Sequence, residues 1–232
     1  MNPRILIFDV ETTGLFPNKR ETTVTLDKYP YVIQLSFILY NLSTGNIEKQ
    51  YNNYIRIPDS VVIPDEVVQL TGITRTICNK QGVNILSAIN ELHDAYMLAR
   101  TIVAHNLEFD QRMIKVELQR NYNDIQYYIP YCLRLFDNDY EMIAGIKSYC
   151  TMKHGLKMCN IVSTPVGLNG ETKKPFVKWP RLNELYYHLF QETVENMHNS
   201  MVDVLACMRC YLKMKQNIVV KNEEFTRLLQ TV

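Results

Sequence analysis

Arg4-Ile5-Leu6-Ile7-Phe8-Asp9-Val10-Glu11-Thr12-Thr13-Gly14 opens the chain with an apolar run that ends in two acids one residue apart. The run from Arg4 to Val10 is nearly all apolar, as suits a central strand buried on both faces. A strand alternates its faces with period two, so Asp9 and Glu11 point to the same side. Side-by-side carboxylates repel each other and gain nothing from burial; a cation between them makes the pair favourable. A divalent metal is therefore the first ligand this sequence suggests.

Outward from that strand, Tyr31 to Tyr40 and Ile47 to Ile57 are rich in β-branched and aromatic residues, and Asn41-Leu42-Ser43-Thr44-Gly45-Asn46 joins them. They read as further strands, giving an antiparallel meander from the first strand to the third. The polar stretch Phe16 to Tyr29 reads as a loop or short hairpin. Pro64-Asp65-Glu66 has the proline and acids of a first helical turn, and that helix runs into Leu70-Thr71-Gly72-Ile73-Thr74. Apolar residues at helical spacing mark Asn84 to Ala99 and Glu108 to Gln119, with a short strand Thr101 to Ala104 between them. Tyr127 to Met142 has no clear pattern. Lys147 to Met152 reads as a strand, and Gly155 to Phe176 is the most loop-like stretch. Arg181 to Phe190, Asn199 to Lys215 and Asn222 to Leu229 read as helices. Strands first and then alternating helices and strands predict an α/β domain with one mixed sheet, spanning residues 1–232 as a single unit.

With 232 residues, 47% of them hydrophobic, the chain can build a sizeable core and wholesale disorder is excluded. The formal net charge of +1 means that nucleic-acid binding needs a local patch, not overall charge. Cys78, Cys132, Cys150, Cys159, Cys207 and Cys210 are expected to be reduced thiols, because the start of the sequence does not look like a secretory signal. A cytoplasmic or nuclear location is expected, and no apolar run approaches the roughly 20 residues of a membrane span. The sequon Asn41-Leu42-Ser43 is then a chance match.

Two further segments carry acids in apolar settings. Val103-Ala104-His105-Asn106-Leu107-Glu108-Phe109-Asp110 places Asp110 in the first turn of a helix. His198-Asn199-Ser200-Met201-Val202-Asp203 places Asp203 in the early turns of the last long helix. Unpaired burial of such a charge costs several kcal/mol, on the order of 2–7 for a polar group and more for an ion. Four carboxylates from three distant segments fit a site of hard oxygen ligands for two divalent ions roughly 4 Å apart. His198, in the loop before that helix, is placed to take a proton from water.

The segments Phe8-Asp9-Val10-Glu11-Thr12-Thr13-Gly14, His105-Asn106-x-x-Phe109-Asp110 and His198-x4-Asp203 resemble, in this order, the three motifs of the DnaQ-like DEDDh exonucleases. Thr71-Gly72-Ile73-Thr74 and Lys178-Trp179-Pro180-Arg181-Leu182 extend the resemblance over nearly the whole chain. It implies an RNase H-like fold with a central mixed five-stranded sheet flanked by helices. The implied activity is Mg²⁺- or Mn²⁺-dependent removal of nucleoside 5′-monophosphates from 3′ ends. By the same resemblance Asp9, Glu11, Asp110 and Asp203 would bind two metal ions and His198 would be the general base. Thr12, Thr13, Gly14, Leu15, Asn106 and Phe109 would line the terminal nucleotide. Residues 121–146 and the polar stretch after Leu15 look like insertions relative to compact members.

The expected partner is a single-stranded or frayed 3′ end of DNA, with RNA trimming as the alternative and a non-catalytic binding module as a third reading. DNA proofreading or repair would use the same residues. A monomer or homodimer is expected; the short tail after Lys215 offers little length for tethering to a polymerase. His105 is expected to be structural or substrate-adjacent, and His154 and His188 have no claim on the chemistry. Cys207-x-x-Cys210 lacks the second close pair of a zinc site and reads as buried thiols on a helix. Met201, Met208 and Met214 read as packing residues, and the tyrosines of the strands as core. Lys147, Lys153, Lys157, Lys173, Lys174, Lys178 and Arg181 share their span with Glu171 as acid. They read either as a solvated surface or as a track for a phosphate backbone.

Overall fold

The computed structural model describes residues 3–17, 25–165 and 172–230. Strand β1 (Arg4–Thr12) is the middle strand of a five-stranded sheet. On one side it pairs antiparallel with β2 (Val32–Asn41), which pairs antiparallel with β3 (Asn46–Tyr54). On the other side it runs parallel to β4 (Thr101–Ala104), which runs parallel to β5 (Lys147–Cys150). The sheet order is β3-β2-β1-β4-β5, the mixed five-stranded arrangement expected from the sequence.

Between β3 and β4 lie three helices. α1 (Asp65–Thr71) starts after Pro64 and ends at Gly72, whose φ of 71° is the left-handed cap that favours glycine. α2 (Arg75–Gln81) starts on Thr74, whose Oγ1 accepts from the Ile77 N–H at 3.2 Å. Sequence reading did not assign this helix, because it is a single short stretch without a full apolar stripe. α3 (Ile85–Leu98) is capped by Asn84, which accepts from Leu86 N–H.

α4 (Leu107–Arg120) follows β4. Residues 121–146, which read as an insertion and are unpatterned over 127–142, form α5 (Tyr122–Tyr128), a 3-10 turn Pro130–Arg134 and α6 (Asn138–Ala144). Elements this short carry fewer than two periods of any helical pattern.

Two expectations need correction beyond β5. The strand ends at Cys150, and Met152 belongs to α7 (Thr151–Cys159), which also takes the start of the expected loop from Gly155. Gly155 sits inside this helix for packing: a Cβ there would lie 3.0 Å from Leu185 Cδ1 and 3.2 Å from Pro180 Cγ. Two short strands, β6 (Val162–Ser163) and β7 (Phe176–Val177), pair antiparallel within the remainder of that stretch. α8 (Leu182–Phe190), α9 (Ser200–Tyr211), a π turn Leu212–Gln216 and α10 (Asn222–Leu229) complete the chain. Half of the expected loop after Leu15, residues 18–24, lies outside the described residues; its later part holds a 3-10 turn, Leu26–Lys28.

The period-two alternation of β1 distributes its residues between two cores. Leu6, Phe8 and Val10 pack with Ala88, Ile89 and Leu92 of α3 and Met113 and Ile114 of α4. Ile5 and Ile7 pack on the opposite face with Leu185 and Tyr186 of α8 and Val204 and Leu205 of α9. Ile5 to Phe8 are essentially inaccessible to water, and each such side chain contributes about 1.5–3 kcal/mol on burial. Asp9 and Glu11 continue the Ile5–Ile7 side of the strand, so they face the layer that holds α9. The six cysteines are free thiols, five of them buried, as expected. Met201 and Met208 are core residues. Among the described residues no helix is long and apolar enough to cross a membrane.

Candidate active site

At the C-terminal end of β1, Asp9, Glu11 and Asp203 each offer a carboxylate oxygen, and these oxygens lie within 4.8 Å of one another. Asp9 and Glu11 share a face because they are two apart on a strand. Asp203 comes from the early turns of α9, which packs on that same face. Asn199 caps α9, its Oδ1 accepting from Met201 N–H at 3.1 Å. His198, just before the cap, has a left-handed φ of 75°, and its backbone N–H donates to Asp203 Oδ2 at 3.3 Å.

Asp110 approaches from the other layer. It lies in the first turn of α4, whose apolar residues pack against the Leu6–Phe8–Val10 face. Its Oδ1 accepts from the Val10 backbone N–H at 3.3 Å. Asp110 lines the same pocket as the other three acids, yet it is not part of the tight triad. Its helix belongs to the opposite side of the sheet, so it reaches the rim of β1 and not the space between Asp9 and Asp203. The four expected acids therefore come together as a set of three with a fourth flanking it.

Burial raises all four acids. The Asp9 carboxyl is pushed up to about 6. Glu11, buried and facing the charges of Asp9 and Asp203, is pushed up to about 9. Asp203 rises to about 8, first by burial and then by Asp9. Asp110 is held well above the carboxylate range by burial and by Asp9. Asp203 Oδ1 is buried with no hydrogen-bond partner. An orphaned buried carboxylate oxygen is costly, and a hard divalent cation is the partner this all-oxygen donor set fits. The residues thus suit Mg²⁺ or Mn²⁺.

The pocket around the acids encloses about 720 Å³. Leu15, Asn106 and Phe109, three of the residues expected to line the terminal nucleotide, are on its walls. The Phe109 ring packs edge-on against Phe16 at 5.1 Å, which ties the segment after β1 to α4. The Thr12 and Thr13 hydroxyls are engaged by the chain: Thr12 Oγ1 donates to the Gly14 carbonyl, and Thr13 Oγ1 accepts from Tyr31 N–H. Thr13 and Gly14 instead line a neighbouring pocket, together with Leu15.

Leu70, Met152, Trp179, Arg181 and Met197 also line the active pocket and were not assigned to it from sequence. Only the Lys178-Trp179-Pro180-Arg181-Leu182 signature pointed toward two of them. His198 is exposed at the pocket; partial burial, and then the nearby Arg181 charge, lower its pKa. Of the basic residues read as a track, Lys178 is paired with Glu184 and Lys153 with Glu108, acids that lie outside the span considered in sequence.

Sheet order and a carboxylate triad at the end of the middle strand define an RNase H-like domain. Residues 6–211 match the exonuclease family designated RNase T, and the chain belongs to that family. A stretch of 120 residues, 50% of this chain, is 31% identical to the 3′-5′ exonuclease DinG of Bacillus subtilis and covers 11% of that protein. Escherichia coli exonuclease I in complex with a dT13 oligonucleotide superposes with a TM-score of 0.59 at 18% identity, over 92% of this chain and 42% of that one. The zinc-bound form of the same enzyme's complex with single-stranded DNA gives 0.61 at 20%, over 98% and 43%. Exonuclease I of Methylocaldum szegediense gives 0.59 at 16%, over 98% and 43%. At these identities the structural likeness is one of fold. The chain spans about a tenth of the Bacillus relative and under half of the exonuclease I chains.

Proposed function

We propose that this chain is a divalent-metal-dependent 3′-5′ exonuclease that shortens single-stranded or frayed DNA and releases nucleoside 5′-monophosphates. The observation that carries this reading is the Asp9–Glu11–Asp203 triad with its unpartnered Asp203 oxygen. Membership of an exonuclease family supports it, as does the 3′-5′ exonuclease named among the relatives. The fold likeness to proteins bound to single-stranded DNA favours DNA over RNA.

In this reading Asp9, Glu11 and Asp203 would hold two divalent ions, with Asp110 completing the acidic set. Bound Mg²⁺ or Mn²⁺ would neutralise these carboxylates and stabilise the charge that develops on the reacting phosphate. His198 accepts a proton from the attacking water. The water oxygen forms a new bond to the last phosphorus, the bond from that phosphorus to the 3′ oxygen breaks, and that oxygen takes a proton from solvent water to leave the shortened strand with a 3′ hydroxyl. Leu15, Asn106 and Phe109 seat the terminal nucleotide. Residues 1–232 act as one domain.

End-labelled DNA and RNA of matched sequence, digested with Mg²⁺, Mn²⁺ or chelator, test this. Stepwise loss of 5′-monophosphates from DNA, abolished by chelator, is the expected result. Equal or faster loss from RNA would move the assignment to an exoribonuclease. No hydrolysis of either, with binding retained, would make the chain a binding module.

A further inference from the structure

Trp179 is the sole tryptophan of the chain, and it lines the acidic pocket with 56% of its surface exposed. The backbone that carries it is held from several sides. His105 Nε2 lies 3.1 Å from the Pro180 carbonyl, and His105 Nδ1 lies 3.0 Å from Thr151 Oγ1. A carbonyl can only accept, so Nε2 carries the proton and Nδ1 accepts from the threonine hydroxyl. Burial holds the His105 pKa down at about 4, which keeps this neutral form in place at physiological pH. Pro180 also seats against Gly155, where a side chain would crowd it. On either side of the Trp179–Pro180 pair, the Glu184 carboxylate accepts from Arg181 N–H at 2.7 Å and pairs with Lys178.

A large aromatic face left open to water, on a fixed backbone, beside a phosphate-processing site, is what sequence-tolerant binding of nucleobases uses. The exposed side chains of Leu15 and Leu70 give the same pocket further apolar surface for a planar ring. We infer that Trp179 is a stacking platform for a nucleobase at one of the last two positions of the 3′ end, and that His105 is the positioning residue that sets it there. This deepens the exonuclease reading and rests on it.

The test uses three single-stranded DNA oligonucleotides: intact, abasic at the last position, and abasic at the one before. Trp179→Leu should raise KM about tenfold on the intact strand, the effect of losing one stacked base, with kcat little changed. Trp179→Phe should restore most of the loss. On one of the two abasic strands wild type and Trp179→Leu should be equal. His105→Gln should reproduce the same base-dependent pattern. An equal KM increase on all three strands, or no increase on any, would overturn the platform.

A second measurement separates this inference from the nuclease reading. Trp179 is the only indole, so the intrinsic fluorescence of Asp203→Asn, titrated with the intact oligonucleotide, reads the contact without turnover. Quenching that is lost with one abasic strand supports the platform even if the wild type hydrolyses nothing. Binding of the intact strand with unchanged fluorescence rejects it even if the wild type is an active nuclease.

Discussion

Ser200 Oγ donates a 2.8 Å hydrogen bond to the backbone carbonyl of Asp9, tying the first turn of α9 to the strand that carries two of the acids. The bond belongs to a polar row on the triad side of the sheet, buried at Ser200, Ser36 and Gln34 and open to water at Asn52. Asp9 lies opposite Ser36, and Ser36 opposite Asn52. Ser36 Oγ and Gln34 Nε2 both donate to Asn52 Oδ1 at 2.9 Å, and Ser200 N–H donates to Gln34 Oε1. Ser200 and Ser36 are fully buried. The row fixes the register between α9 and β1, and so the distance between Asp203 and Asp9.

Ser200→Ala leaves the Asp9 carbonyl without this donor. It should cost about 0.5–1.5 kcal/mol of stability, read by urea denaturation, the net worth of one hydrogen bond, since the Asp9 carbonyl keeps its place in the ladder opposite Ser36. It should also raise the Mg²⁺ concentration needed for half-maximal hydrolysis, while Ser36→Ala, one row further from the helix, should change that requirement less.

Asp203→Asn should abolish hydrolysis and weaken metal binding by calorimetry while leaving the protein folded. Removing one of three crowded carboxylates relieves repulsion in the metal-free state, so its melting temperature without metal should equal or exceed that of the wild type. Wild-type turnover in this variant would refute the assignment of the triad.

The raised carboxyls of the triad give the metal-free protein a defined pH dependence. In the folded state they keep protons that the unfolded chain releases, from the ordinary carboxylate range near 4 up to about 8 for Asp203 and 9 for Glu11. The unfolded state therefore binds fewer protons over that window, and their contribution to stability falls as pH rises through it. Melting temperature measured in chelator should fall less steeply with pH in Glu11→Gln than in the wild type. Added Mg²⁺ should raise the wild-type melting temperature more at pH 8 than at pH 6, since protons compete with the ion.

Arg181 lies near His198 and helps hold its pKa below the usual histidine value, after the larger effect of burial. A less basic His198 stays ready to accept a proton at lower pH. Arg181→Gln should therefore move the acid limb of the kcat/KM profile to higher pH, measured between pH 5 and 8. A limb that stays in place would show that the arginine charge is not felt at the base.

Much of this was legible in local pattern. The apolar run Ile5–Phe8 announced a doubly covered strand, and β-branched strands followed by α3 and α4 announced a mixed sheet with helices on it. The stretches that escaped were short: α2, α5 and α6 are each seven residues long, and tertiary packing, not period, holds such pieces in place. Gly155 reads as a loop residue until Pro180 and Leu185 are seen pressing on its helix.

Within the site, period two alone put Asp9 and Glu11 on one side of a strand, and the spacing of His198 and Asp203 put a base candidate ahead of a helix-borne acid. Those facts depend on backbone geometry within a few residues, which any chain of this sequence carries with it. Which acids meet depends on which face of the sheet each helix covers. α9 covers the Ile5–Ile7 side and delivers Asp203 to the pair; α4 covers the other side, and Asp110 stops at the Val10 N–H. The same holds for the pairing of Lys178 with Glu184 and the place of Trp179 on the wall of the acidic pocket. Contacts between remote segments follow from how layers pack, and layer packing is a property of the folded whole.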